Sequence, residues 1–110
     1  MIGENRLQEL RSLREVVIPE GLERIGSYWF AFTDIEGVKI PASVTEIEEG
    51  AFYWCKKLKH VQFAENSQLR AIRERCFTQS GIEEIVVPSS VATIGDCVFS
   101  GCKILTRVIF

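Results

Sequence analysis

The sequence lacks the features that would link it to nucleic acid or to a membrane. Of its 110 residues, 13 are Lys or Arg and 15 are Asp or Glu, so no basic excess is available for phosphate groups. The apolar runs are only a few residues long, which is too short for a transmembrane helix. Residues 1–6 carry a glutamate and no apolar stretch, so they do not read as a secretory signal. Either the protein is cytosolic or the chain is a piece of a longer one.

A repeat of 22 to 25 residues runs through the chain. Three prolines, Pro19, Pro41 and Pro88, each follow a short apolar run, and Ala64 takes the same place in a fourth. Three columns of apolar residues recur with this period: Val16, Val38, Val61, Ile85 and Val108; Ile25, Ile47, Ile72 and Ile94; and Phe30, Phe52, Phe77 and Phe99. Self-similarity at such a period is typical of solenoid proteins.

The chemistry of one unit predicts its structure. The pattern L-x-x-V-x-I gives a short strand whose V and I side chains point to the same side. Proline then ends the strand, because it lacks the N–H donor that a ladder needs. The following V-x-x-I returns the chain across the core, and the A-F-x-x-C segment has the spacing of a short helix. Since one unit cannot bury its own apolar face, we expect a solenoid with a parallel strand ladder, turns and short helical segments.

The unit boundaries follow from the columns. We expect one domain over residues 1–110, with full units at 13–34, 35–57, 58–81 and 82–104 and partial units at 1–12 and 105–110. Ile2 and Leu7 fall in the isoleucine and phenylalanine columns. Unit three carries extra residues around Glu65 to Gln68, a polar turn. Neither end resembles a polar capping unit, so the chain is interpreted as a segment of a longer array.

The unit resembles the BspA-type leucine-rich repeat. The match is most complete at residues 82–102, which contain Pro88-Ser89-Ser90-Val91, Ile94-Gly95 and Phe99-Ser100-Gly101-Cys102 in the family's order. The departures are local, such as Thr33 and Ser80 in place of cysteine. The resemblance implies a curved leucine-rich-repeat solenoid used for adhesion or host interaction, located at the cell surface or secreted. The absence of a signal peptide from this segment leaves a cytoplasmic location open.

The four cysteines are interpreted as small buried thiols. Cys55 and Cys102 occupy one slot but lie two units apart, about 10 Å and beyond the reach of a disulfide. Cys76 and Cys97 lie in neighbouring units with an offset of one slot, so a disulfide between them stays open as a weaker alternative. A zinc site needs converging Cys or His pairs. The spacing supplies no second pair, so no metal is expected.

No catalytic or cofactor motif is present. His60, the one histidine, could pair with Glu84 in its own column, but no nucleophile accompanies it, and we interpret it as a surface residue. No glycine pattern matches a phosphate-binding loop, so no cofactor is expected. Trp29 and Trp54 flank the phenylalanine column, where packing is favoured over a sugar-binding role. We therefore expect that the chain is not an enzyme.

The exposed face of the ladder is the candidate binding site. Residues on either side of the first strand position are expected to point outward. The candidate partner-binding residues are Glu15, Val17, Lys39, His60, Gln62, Glu84, Val86, Arg107 and Ile109. The expected function is a protein-interaction or adhesion scaffold for a protein ligand. The alternatives are a recognition arm of a larger enzyme or effector, and a glycan-binding module. Open strand edges at the ends also predict end-to-end self-association, with no nucleic-acid partner and no membrane insertion.

Overall fold

Two parallel ladders of short strands form the protein. The computed structural model describes residues 14–110, which span 34 × 32 × 21 Å. We call one set of strands the front ladder: β1 (Glu15–Val17), β3 (Gly37–Ile40), β5 (His60–Phe63), β7 (Glu84–Val86) and β9 (Arg107–Ile109). The other set is the rear ladder: β2 (Arg24–Ile25), β4 (Glu46–Ile47), β6 (Ala71–Ile72) and β8 (Thr93–Ile94). The expected solenoid is therefore confirmed for the described residues.

The strand register follows the repeat columns. In the front ladder Val16 pairs with Val38 and Val38 with Val61, and in the rear ladder Ile47 pairs with Ile25 and Ile72. Alternate residues of each front strand face the core, as in β1, where Val16 is buried between two exposed neighbours. The columns thus become the inner surface of the stack, as period-two alternation requires.

The phenylalanine column forms a continuous stack between the two ladders. Phe30 and Phe52 stack with centroids 5.3 Å apart, Phe52 and Phe77 at 5.4 Å, and Phe77 and Phe99 at 6.1 Å. The first three rings are fully buried. Each ring fills space that the adjacent unit leaves, so the core is shared between units rather than enclosed by any one of them.

The expected short helical segments do not form in residues 14–110. Around each phenylalanine two positions adopt positive φ, in the first unit Tyr28 at 58° and Phe32 at 63°. The equivalent residues are Gly50, Arg75 and Cys97 for the first position, and Trp54, Gln79 and Gly101 for the second. A right-handed helix cannot continue through left-handed residues.

Main-chain bonding explains why left-handed turns replace the helix. The N–H groups of Tyr28, Phe30 and Phe32 donate to carbonyls of the next unit, while those of Trp29, Ala31 and Thr33 donate to carbonyls three residues earlier. Alternate amides therefore point along the stacking axis. The A-F-x-x-C segment uses them to join neighbouring units instead of forming a helix.

Small polar side chains reinforce the joins between units. The slot three residues after each phenylalanine holds Thr33, Cys55, Ser80 and Cys102. The Cys55 thiol donates to the Phe30 carbonyl of the preceding unit at 3.0 Å, and Cys102 donates likewise to Phe77 at 3.1 Å. Each thiol adds an inter-unit donor to a carbonyl that already accepts the backbone N–H three residues later in its own unit, from Thr33 and Ser80 respectively.

The front ladder is interrupted, whereas the rear ladder is not. Strands β1, β3 and β5 form one sheet and β7 and β9 another, while β2, β4, β6 and β8 form a single sheet. Beside the break lies the longer turn of unit three. The expected places of Ile2 and Leu7, and the partial unit 1–12, lie outside the described residues.

Candidate functional site

The nine candidate residues all lie on the strands of the front ladder. Eight of them are exposed, and Ile109 is half-buried. Two are large apolar side chains turned to solvent, Val17 with 69% and Val86 with 55% of its surface exposed. The predicted alternation therefore places these residues on one outward face, although the break between β5 and β7 divides that face in two.

One ion pair lies on this face among the described residues. Arg107 lies 3.6 Å from Glu84, and both side chains are largely solvated. The carboxylate of Glu15 extends over Gly37, since a methyl group built there would lie 2.5 Å from its Oε1 atom. The face is mixed in charge and presents no single-sign field to steer a partner.

The suggested pairing of His60 with Glu84 does not occur. Among the ion pairs of residues 14–110, Glu84 bonds to Arg107, and His60 has no carboxylate within 4.0 Å. The physical reason is the break in the ladder, because β7 is joined to β9 and separated from β5. Within residues 14–110, His60 therefore has no orienting acid of the kind that a catalytic histidine needs.

A cleft of about 890 Å³ opens at the break. Its walls include His60, Gln62 and Phe63 from β5 and Glu84 and Val86 from β7, and Phe110 lies at one side. Val61 and Phe63 are half-buried here, whereas their counterparts Val38 and Ile40 are buried. The cleft therefore exposes apolar side chains that a continuous ladder would cover.

A second, shallower groove continues from the cleft along the ends of the strands. It has a volume of about 320 Å³ and is lined by Val17, Pro19, Ile40 and Pro41 among others. It shares Gln62, Phe63 and Ala64 with the cleft. Apolar surface thus runs from the first described unit to the break.

An exposed aromatic cluster lies on the opposite side of the first two units. Phe32 packs edge-on against Tyr53 at 5.6 Å and stacks on Trp54 at 6.4 Å. The Lys56 ammonium lies 5.1 Å from the Trp54 ring centroid. Trp29 instead packs against the core. Both tryptophans are half-buried by these contacts.

The structure separates the cysteines into two kinds. Cys55 and Cys76 are buried, as expected, and burial raises their pKa values to about 11 and about 12. Cys102 is half-buried, and Cys97 is exposed. The expectation of a buried thiol is wrong for Cys97. This residue has a left-handed φ of 60° and lies in the turn column, where its side chain faces solvent. All four thiols are free.

Residues 14–110 bring no three His, Cys, Asp or Glu side chains together as a metal site. Nor does that part of the chain contain a helix long and apolar enough to cross a membrane. The thiols that are buried have raised pKa values, so they stay protonated and weakly nucleophilic near neutral pH.

The cleft was not predicted from the sequence. Apart from Val86, its apolar lining, with Phe63 and Pro88, does not come from the outward columns. A signal was present, since the isoleucine column lengthens to 25 residues in unit three while the strand column lengthens only to 24. Unequal column spacings indicate that one ladder is displaced relative to the other.

The repeat, its register and its turn columns agree with one family. Residues 1–106 match the BspA type leucine rich repeat region, in six copies. The chain belongs to the BspA-type leucine-rich repeat family. Leucine-rich repeats of this type are generally non-catalytic scaffolds, and they generally mediate protein–protein interaction. No curated protein matches the chain.

Solved structures of bacterial leucine-rich repeat proteins share the fold. The pneumococcal vaccine antigen PcpA is 26% identical with a TM-score of 0.82, over 88% of this chain and 28% of its own. A leucine-rich repeat protein from Bacteroides capillosus is 31% identical with a TM-score of 0.76, over 86% of this chain and 75% of its own. A leucine rich cell surface protein from Faecalibacterium prausnitzii is 26% identical with a TM-score of 0.67, over 89% of this chain and 33% of its own. The BspA-type chain thus spans about a third or less of two of these proteins.

Proposed function

We propose that this BspA-type chain is a non-catalytic scaffold that binds a protein partner through the exposed face of its front ladder. The observation that carries the proposal is the exposure of Val17 and Val86 on a face whose alternate side chains already fill the core. Exposed apolar side chains in a polar surround are typical of interaction surfaces. The two apolar grooves beside them enlarge the surface that a partner can bury.

In this proposal the nine outward residues contact the partner in two ways. Val17, Val86 and Ile109 supply apolar contact, and the polar set supplies orientation: Glu15, Lys39, His60, Gln62, Glu84 and Arg107. Because a standard interface uses roughly 20–30 residues on each side, this segment supplies only part of one. The proposal therefore includes a longer array, in which further units extend the same face.

The cell surface, or secretion, is the proposed location. It is supported by two of the similar proteins, one a cell surface protein and the other a vaccine antigen. The glycan-binding alternative has less support, because the Trp54 ring already stacks with Phe32 and has the Lys56 ammonium beside it. A role as the recognition arm of a larger enzyme or effector uses the same face, and the sequence of the parent protein would distinguish it.

A protein microarray tests the proposed function with matched variants. One variant changes the front face by Val17→Lys and Val86→Lys, and a control changes the rear ladder by Arg24→Glu and Thr93→Lys, which are also exposed strand positions. We expect proteins bound by the parent chain to be lost by the front variant and kept by the rear variant. Equal loss in both, or binding that the front variant keeps, would contradict the assignment to the front ladder.

A further inference from the structure

The two strands beside the cleft keep backbone groups that no strand partner uses. On β5 the N–H groups of His60 and Ala64 donate to Glu36 and Ile40 in the preceding unit. By the alternation of a parallel ladder, the N–H and C=O groups of Val61 and Phe63 point the other way, into the cleft. Within the described residues β5 and β7 are not paired as neighbouring strands of one sheet.

The facing strand has the complementary pattern. The N–H of Val87 donates to Ile109 at 2.7 Å, and the carbonyl of Glu83 accepts from Thr106 at 2.8 Å. Alternation then directs the backbone groups of Glu84 and Val86 toward β5. The cleft is therefore bounded on both sides by strand edges, which are templates for pairing with another chain.

The width of the cleft defines what can enter it. Cα atoms of β5 and β7 still lie within 8 Å of each other. A strand placed between them needs two ladder spacings, about 9.6 Å in total. An opening of about 2 Å or more is therefore required, and it disrupts no strand pairing of the front ladder, because β5 and β7 belong to different sheets.

The rear of the molecule can act as the hinge for this opening. Strands β6 and β8 stay paired, with Ile72 opposite Ile94. The adjacent turns stay joined as well, by bonds such as Phe77 N–H to the Val98 carbonyl at 3.1 Å. The Phe77–Phe99 stack is already wider, at 6.1 Å, than the other two stacks. Motion about this side separates β5 from β7 while the units remain connected.

We propose that the cleft between β5 and β7 binds a short extended peptide of a partner protein as an added strand. Four residues would match the length of β5. Two alternate apolar side chains would face inward and cover Val61 and Phe63, which the break leaves half-buried. The backbone would bond to Val61 and Phe63 on one side and to Glu84 and Val86 on the other.

Charge at the rim favours basic side chains at the outward positions of the peptide. Three carboxylates line the cleft, from Glu15, Glu65 and Glu84, against the single ammonium of Lys59. Arg107 neutralises only Glu84. An alternating Val-Lys sequence combines apolar inward residues with cations at this acidic rim. The inference rests on the proposed function and assigns a partner chemistry to part of the same face.

Amide hydrogen exchange followed by NMR tests the proposal. In the free protein we expect the amides of Val61, Phe63, Glu84 and Val86 to exchange at least tenfold faster than those of Gln62 and Val87. A capped Val-Lys-Val-Lys-Val peptide is expected to slow these four amides at least tenfold. A Val-Glu-Val-Glu-Val peptide, and one with proline at the central valine, should slow them much less. Slow exchange before any peptide is added, or no slowing with the Val-Lys peptide, overturns the proposal.

A variant of β7 isolates the backbone contribution. Val86→Pro removes an N–H that no strand pairing uses in the free protein, and Val86→Thr keeps both the N–H and the branched shape. We expect Val86→Pro to abolish the peptide-induced slowing at Val61 and Phe63, and Val86→Thr to preserve it. Equal slowing in both variants contradicts strand addition. The microarray comparison is independent of this result, so the proposed function can stand when the peptide site fails.

Discussion

Buried and exposed phenylalanines are expected to contribute unequally to the stability of the protein. Phe52 is fully buried between Phe30 and Phe77, whereas Phe32 has 59% of its surface exposed. We expect Phe52→Ala to lower the free energy of unfolding by about 3–5 kcal/mol, the range for a buried aromatic truncation. Phe32→Ala should cost about 1 kcal/mol or less. Urea denaturation of both variants checks this, and similar midpoints would contradict the placement of the stack.

The protein can be stabilised by substitution at its left-handed turn positions. Cys97 has φ 60° with an exposed side chain, and Gly50 holds the equivalent position two units earlier. A non-glycine residue there costs about 1–2 kcal/mol, part of which the greater chain entropy of glycine cancels. We expect Cys97→Gly to stabilise the protein by about 0.5–1 kcal/mol. Cys97→Ala is the control and should give no gain in thermal or urea denaturation.

The buried thiols make stability depend on pH in the alkaline range. Burial raises the pKa of Cys55 to about 11 and that of Cys76 to about 12, from an ordinary 9.0. The folded state holds these protons more tightly than the unfolded state. Their contribution is therefore complete below pH 9 and is lost as the pH rises from 9 toward 11 or 12, by up to ~1.4 kcal/mol per pH unit for each thiol. Unfolding measured from pH 8 to 11 should show a shallower decline in Cys76→Ala than in the parent.

The buried positions could be predicted from the sequence, because the same core environment selects an apolar side chain there in each unit. The phenylalanine and isoleucine columns are visible in the sequence because apolar residues recur there with one period. The left-handed positions are not visible, since Tyr28, Gly50, Arg75 and Cys97 share a backbone conformation and no side-chain property. The exposure of Cys97 follows from that conformation and was missed for the same reason.

At the level of strands and turns, the longer turn of unit three accompanies the break in the front ladder. Replacing residues 64–68 by the Pro-Ala-Ser sequence found at 41–43 gives this turn the length it has in unit two. We expect β5 and β7 to pair, so the Val86 amide should exchange at least tenfold more slowly by NMR. The control substitution Ala64→Pro alone keeps the turn length, so the Val86 amide should still exchange fast. Fast exchange in the shortened chain would mean that the turn does not cause the break.

The strands were predictable and the connecting segments were not. Each front strand lies where the first apolar column predicts it, because alternation acts locally, and after β1, β3 and β7 a following proline does so as well. The A-F-x-x-C segment has helical spacing, yet its alternate amides bond to the neighbouring unit, a partner that a single unit's pattern does not contain. The position of the candidate face was predicted from the sequence. The cleft that divides this face was not, because it depends on how the front and rear ladders fit together.

The whole chain is expected to associate when isolated. In the described residues β9 has one strand neighbour, β7, and Phe110 beside it has 77% of its surface exposed. An unpaired strand edge next to an exposed ring favours pairing with a second copy. Sedimentation velocity at rising concentration should show species larger than the 12.5 kDa monomer, and fewer of them for Phe110→Lys. A monomer at every concentration would contradict this.

Equivalent junctions between units have a consequence for how the gene can change. Thr33, Cys55, Ser80 and Cys102 differ in chemistry, but the thiols of Cys55 and Cys102 each donate to a phenylalanine carbonyl one unit back, at 3.0 and 3.1 Å. A cysteine in this slot thus makes the same bond to the preceding unit at two separate junctions. Duplication or loss of one complete repeat by recombination would therefore create a junction of a kind already present in the chain. Array length can then vary over generations without the invention of a new interface, whereas gain or loss of part of a repeat would leave donors and carbonyls unmatched.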